Sequence, residues 1–165
     1  MKTFKEFMQE SSLARIKSKS DKSGIAVMSA SRANLSAKEN RARAKQLDKD
    51  IRGKFKRGAT KVTGSYSEKD EKTGKETKVK ERSHVIDRGK MGKRKFKKEV
   101  KKLGKKYGQD SVLTSGKKDG TLSATRKGGL GPKTKGIGVG KFRAQKKNPE
   151  GQSQIKGKVF SYGKN

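Results

Sequence analysis

Apolar side chains are scarce in this chain and arrive in short runs separated by lysines. The most compact run is GIAVMSAS, residues 24–31. With 27% of residues hydrophobic and 38% charged, the sequence stands near the limit at which burial no longer offsets the entropy of ordering a chain. A folded core must therefore be small and gathered from several distant segments. The 165 residues allow one such domain with tails.

The spacing of the apolar residues predicts where those segments lie. Thr3 and Glu6 form a capping-box pattern, and Phe4, Phe7 and Met8 fall at i, i+3 and i+4, so a short amphipathic helix opens the chain. Residues 11–23 read as a basic linker and 24–31 as a buried strand. Ser36 with Glu39 caps a helix over 37–52, with Ala44, Leu47 and Ile51 on one face and Gly53 as its stop. Residues 59–66 and 77–87 alternate like the arms of a hairpin with a charged tip. Phe96, Val100, Leu103 and Tyr107 mark a second helix that starts at Lys93 and stops at Gly108. Short strands follow over 110–115 and 121–125, and a weak one over 155–162. This order predicts an α+β fold, a mixed α/β sandwich with two helices packed on a small sheet. It divides the chain into an opening helix (1–10), a linker (11–23), a domain (24–127) and a Gly- and Lys-rich segment (128–165).

Lys and Arg number 47 against 16 Asp and Glu, a net charge of +31 that attracts polyanions. Lys93, Arg94, Lys95, Lys97, Lys98, Lys101, Lys102, Lys105 and Lys106 crowd the second helix, and its apolar stripe forces most of them outward. A second cluster comprises Lys133, Lys135, Lys141, Arg143, Lys146 and Lys147. Lysine greatly outnumbers arginine, and its point charge suits phosphate contact rather than the reading of base edges. The partner expected from charge is nucleic acid, double-stranded DNA first, and not a membrane. No stretch is long and apolar enough to span a bilayer, and the first residues lack the apolar run of a secretory signal. The chain has no cysteine, which removes disulfides, thiolate metal sites and a cysteine nucleophile. A virion interior or a host cytoplasm fits these features.

Signals for chemistry are weaker. His84 is the only histidine, so one chain offers no two-His metal site, and between Ser83 and Val85 it reads as a structural strand residue. Glu76-Thr77-Lys78 with Asp70 echoes the carboxylate-x-Lys arrangement of metal-dependent nucleases, inside a charged hairpin. Gly136-Ile-Gly-Val-Gly-Lys141 looks like a phosphate-gripping loop, without the Lys-Ser/Thr ending or a following helix. Phe142 beside Arg143, and Phe160 with Tyr162, are the candidates for base stacking. These patterns assign no catalytic residue, no metal and no cofactor.

Two resemblances add to this reading. Met1-Lys-Thr-Phe-Lys-Glu-Phe-Met-Gln-Glu-Ser11 resembles the capsid-targeting peptide of T-even-type phage internal head proteins. That likeness implies docking into a prohead scaffold through Phe4, Phe7 and Met8, and cleavage by a maturation protease between Glu10 and Ser11. Met8 departs from the Leu or Ile usual at the start of the cleaved triplet. Ser31-Arg32, Glu39-Asn40-x-x-Arg43, Gly64-x-Tyr66, Glu81-x-Ser83 and the run from Leu103 to Leu113 are similar to a small tailed-phage domain without established activity. If the body is catalytic, Glu81 and Gln109 are the positions this second likeness puts forward. The main expectation is a non-enzymatic phage virion protein, bound to DNA through phosphates and targeted to the head. The alternatives are a phage enzyme acting on nucleic acid or nucleotides, and an RNA- or ribosome-associated basic protein.

Overall fold

The structure, a computed structural model, describes residues 4–70, 72–131, 133–144, 146–148, 151–155 and 158–163. Eight strands close into an antiparallel barrel. They are β1 (Ile25–Ser29), β2 (Thr60–Lys69), β3 (Glu76–Asp87), β4 (Ser111–Ser115), β5 (Gly120–Ala124), β6 (Gly136–Ala144), β7 (Gly151–Ile155) and β8 (Lys158–Gly163). Around the barrel the order is β1-β3-β2-β7-β8-β6-β5-β4, with β4 pairing back onto β1. Three helices accompany it: α1 (Phe4–Lys22), α2 (Ala37–Phe55) and α3 (Lys93–Lys106).

The expected α+β sandwich of two helices on a small sheet is therefore corrected to a closed barrel. The elements expected between residues 24 and 125 are present, but the sheet they begin is completed by the region read as a Gly- and Lys-rich segment. That region supplies β6, β7 and β8, which bridge β5 to β2. The single weak strand expected over 155–162 is two strands, with Ile155 paired to Lys158. Closure gives every strand two neighbours, which is how a small sheet escapes edge-to-edge association, although β1 covers β3 only over Ser83–Asp87.

Alternation splits the buried residues into two cores. Ala26, Met28, Ile86 and Val112 face outward and pack under Leu47, Ile51 and Phe55 of α2 and Phe96, Val100 and Leu103 of α3. Ile25, Val62, Val85, Ile155 and Phe160 have the opposite parity and fill part of the lumen with Leu13 and Ile16 of α1. The helix expected for the first ten residues thus runs on to Lys22, through the stretch read as a linker, and lies across one end of the barrel. Its C-terminal end is held by Asp87. That carboxylate accepts from the Ser23 hydroxyl at 2.7 Å, the Gly89 amide at 3.0 Å and Arg57 at 2.9 Å.

Local chemistry fixes α2 and α3. The Ser36 hydroxyl accepts from the Glu39 amide at 3.2 Å, and the Glu39 carboxylate accepts from the Ser36 amide at 2.8 Å. This is the reciprocal cap the sequence predicts. The helix passes Gly53 because Phe55 packs edge-on against Phe96 at 5.5 Å, and it ends instead at Lys56 in a left-handed conformation. In α3, Gly104 lets the helix settle onto the sheet. A Cβ there would stand 2.6 Å from Val112 and 2.7 Å from Thr125.

Candidate active site

An eight-stranded barrel has a lumen just wide enough for side chains or for one small ligand. Here it does both. α1 and the apolar lumen residues fill one part, and the rest is a cavity of about 590 Å³. That size lies in the usual range for small-molecule sites. Register places its walls. Val62 pairs with Ser83, and Gly64 with Glu81, so Glu81, Ser83 and Gly64 share the inward face with Val62 and Val85. Val27, Leu113 and Leu122 are cross-strand neighbours on the same face, and Phe160 sits opposite Ser153. All of these except Val62 and Val85 line the cavity, and Ile137, 43% exposed, lines it as well.

The electrostatics of this lining are unlike those of the chain around it. Among the described residues, Glu81 is the only acidic side chain that lines it, and no lysine or arginine does. The other polar groups are hydroxyls and amides, including Ser83, Ser153, Gln152 and Tyr162. Burial pushes the Tyr162 phenol up to about 12, against a weaker pull from the Ser115 hydroxyl, so Tyr162 is a neutral group. Ser161 is 2% exposed, and its hydroxyl has no hydrogen-bond partner among the described residues. Gly64 keeps the approach to Glu81 open, since a Cβ there would meet the Ser83 hydroxyl at 3.1 Å and the Glu81 side chain at 3.8 Å. Among the described residues the lining thus offers a ligand apolar walls, hydroxyls, amides and one carboxylate.

The sequence model of the S-adenosylmethionine lyase family matches residues 26–163. The chain belongs to that family. No curated protein matches the chain significantly. The match takes in the barrel from the second residue of β1 to the end of β8 and leaves out α1. It overturns the expectation of a non-enzymatic head protein, together with the virion, capsid and DNA-binding character attached to it. The family is one of enzymes, and among the readings open from the sequence it favours an enzyme.

The residues singled out in the sequence are scattered by the fold. Glu81 lies in the cavity. Gln109 does not, and instead donates to the Ser31 carbonyl at 3.0 Å. Phe160, read as a stacking candidate, is 1% exposed in the lumen and stacks on Phe142 at 5.1 Å. Phe142 also meets Tyr162 edge-on at 5.8 Å. The Gly136–Lys141 run is a strand, not a loop. Glu76 begins β3 at the hairpin tip, where Asp70 accepts from the Lys72 amide at 2.8 Å, so that carboxylate caps a turn. Among the described residues no group of three His, Asp or Glu side chains is placed to hold a metal. No helix among them is long and apolar enough to cross a membrane.

The α3 cations are exposed or half-buried on the outer face, away from the cavity. Lys133 and Lys141 are exposed and Lys135 is as well, on the loop before β6 and on β6 itself; Lys146 and Lys147 are also exposed. Arg143 is half-buried on β6. Phe4, Phe7, Met8 and Glu10 lie on α1 with Ser11, and their side chains fall outside the described ones. Sequence reasoning missed Ser83, Leu113, Leu122 and Ser153 as site residues. The available signal was Glu81, Ser83 and Val85 on one parity of a strand, a carboxylate on an otherwise inward face.

Proposed function

We propose that this chain is a lyase that binds S-adenosylmethionine in the barrel cavity and cleaves a carbon–sulfur bond of its sulfonium centre. The observation that carries the reading is the family match over residues 26–163, which spans a barrel whose cavity sets one carboxylate, Glu81, among apolar and hydrogen-bonding walls. A sulfonium is a fixed cation on an otherwise largely apolar and hydrogen-bonding molecule. Val27, Leu113, Leu122 and Phe160 offer it apolar walls, while Gln152, Ser153 and Tyr162 offer hydrogen bonds. The family match supports the same substrate.

The chemistry asks little of acid catalysis. When the carbon–sulfur bond breaks, its electron pair stays on sulfur and the leaving group departs as a neutral thioether, while an oxygen of the substrate's own carboxylate bonds to the carbon and closes a lactone, so no proton is gained or lost. A site whose titratable groups are one carboxylate and one neutral phenol is adequate for that. Because the sulfonium loses its charge in the transition state, the attraction of Glu81 is strongest for bound substrate and fades during cleavage. Glu81 therefore acts chiefly in binding and orientation.

The test is to incubate the full chain with S-adenosylmethionine, without any methyl acceptor, and follow it by mass spectrometry. An adenosyl thioether should accumulate as substrate disappears. Intact substrate in the presence of folded protein would sink the reading. Glu81→Gln should raise KM about tenfold or more, the worth of one hydrogen bond to a charged group, with a smaller change in kcat. Equal kinetics for both proteins would remove Glu81 from the site.

A further inference from the structure

β3 is longer than the strand that covers one of its sides. β2 pairs with it along its full length, to Lys69↔Glu76, whereas β1 reaches only from Ile25↔Asp87 to Ser29↔Ser83. On the β1 side, residues 76–82 have no strand beside them among the described residues. Two hydrogen bonds show where their main-chain groups point. Just past β3, the Arg88 amide donates to the Gly24 carbonyl at 3.0 Å, and the Ser29 hydroxyl donates to the Arg82 carbonyl at 2.8 Å. Main-chain direction alternates along a strand, so the even-numbered residues of β3 turn their N–H and C=O groups towards β1. Those of Lys78 and Lys80 point past the end of β1, into an open edge. The chain that follows β1 turns away from that edge. Its Ala30 carbonyl accepts from Arg43 at 2.7 Å and its Ser31 carbonyl from Gln109 at 3.0 Å.

A groove of about 330 Å³ runs beside the edge, walled on its far side by the loop after β1 and the start of α2. Its cations are Arg32, Arg41, Lys80 and Arg82, and Glu81 is the one carboxylate of its described lining. None of the four cations has a carboxylate within ion-pair distance among the described residues. Lys78, Lys80 and Arg82 are exposed and share one face of the strand by parity, while Val79 is half-buried on the other. Like charges set directly opposite one another destabilise a strand pair, so this edge repels the same edge of a second copy. An acidic strand meets the reverse: each carboxylate would find a cation across from it.

We infer that the open edge of β3 binds an extended acidic segment of a partner protein, added as an antiparallel strand in line with β1. In such pairing the main chain supplies affinity and alternate side chains supply selectivity. Residues directly opposite in an antiparallel pair place their side chains on the same face and, where they are hydrogen-bonded, turn their main-chain groups to each other. The residues opposite Lys78 and Lys80 are therefore the acidic ones, and their own amides face β3. The residues between them lie on the side of Val79 and are apolar. The surface is distinct from the proposed substrate site, since neither Lys78, Lys80 nor Arg82 lines the barrel cavity.

The probe is a fluorescein-labelled peptide of alternating Glu and Val, followed by fluorescence anisotropy on the full chain at one fixed salt concentration. A +31 chain attracts any acidic peptide, so the test separates edge pairing from charge alone. N-methylation leaves the charge of the peptide intact and blocks the amide. Methylating the Glu amides, which face β3, should weaken binding at least tenfold, and methylating the Val amides, which face away, should weaken it much less. Changing Lys78 and Lys80 together to Glu should also weaken the parent peptide at least tenfold and bring in a peptide of alternating Lys and Val that the parent protein does not bind. Both side chains are exposed, so this variant should melt close to the parent. Binding that survives methylation of the Glu amides, equal loss from the two methylated peptides, or no binding by the parent would each overturn the inference. Self-association of the chain through this edge, lost in the Lys78 and Lys80 variant, would overturn it as well.

Discussion

His84 shows how one side chain can set the pH range of the fold. It stands on the outer face of β3 under α2, 1% exposed, with Nε2 3.3 Å from the Asp48 carboxylate. Asp48 in turn pairs with Lys61 at 2.8 Å. Burial pulls the imidazole below its ordinary value of 6.5, Asp48 pulls it back up, and Lys61 pushes it down, leaving it lowered overall. The unfolded chain therefore takes up a proton near 6.5 that the folded chain resists. The associated stability is full above that value and is lost as pH falls below it, by at most about 1.4 kcal/mol per pH unit. Urea unfolding at several values between about pH 7.5 and 5.5 should show this decline, and His84→Gln should reduce its slope. An unchanged slope would mean that another group sets it.

At the scale of elements, α1 is the part whose role is least visible in the sequence. It lies outside the matched segment, yet Leu13, Ile16 and Ser20 are buried, and the first two pack in the cluster of Phe160, which also lines the cavity. Ile16→Ala should cost about 2–4 kcal/mol and lower Tm by about 5–10 °C. By loosening Phe160 it should also raise KM for S-adenosylmethionine. A large fall in Tm with unchanged KM would separate the plug from the site. The sequence shows α2, α3 and the β2–β3 hairpin clearly, since each has a cap or a full period of apolar residues. It hides β6, where glycines at 136, 138 and 140 remove the alternating signal, and β7, where Ile155 is the only sizeable apolar residue. Those strands are held by neighbours on both sides, and such support comes only once the sheet closes. For the same reason little of the site is legible beforehand: Glu81 is put forward as a catalytic position, and Phe160 and Tyr162 only as stacking candidates. The partners of Glu81 come from strands that the barrel, and not the chain order, makes adjacent.

For the whole molecule the governing quantity is the net charge of +31. Asp21, Asp48, Asp50, Asp87, Glu99 and Asp110 are already matched to cations, so most of the surplus meets no internal compensation. The resulting field opposes the compact state and would also repel the cationic substrate proposed for the barrel cavity. Added salt shortens the reach of that field from about 30 Å at 0.01 M to about 8 Å at 0.15 M. The attraction of Glu81 acts at contact within a cavity and is screened far less. Both Tm and kcat/KM for S-adenosylmethionine should therefore rise over this salt range and then level off. A protein of balanced charge, stabilised by surface ion pairs, would lose stability over the same range. If kcat/KM fell while Tm rose, the cation would be drawn in from a distance by a field that the charge distribution does not provide, and the placement of the substrate beside Glu81 would be wrong.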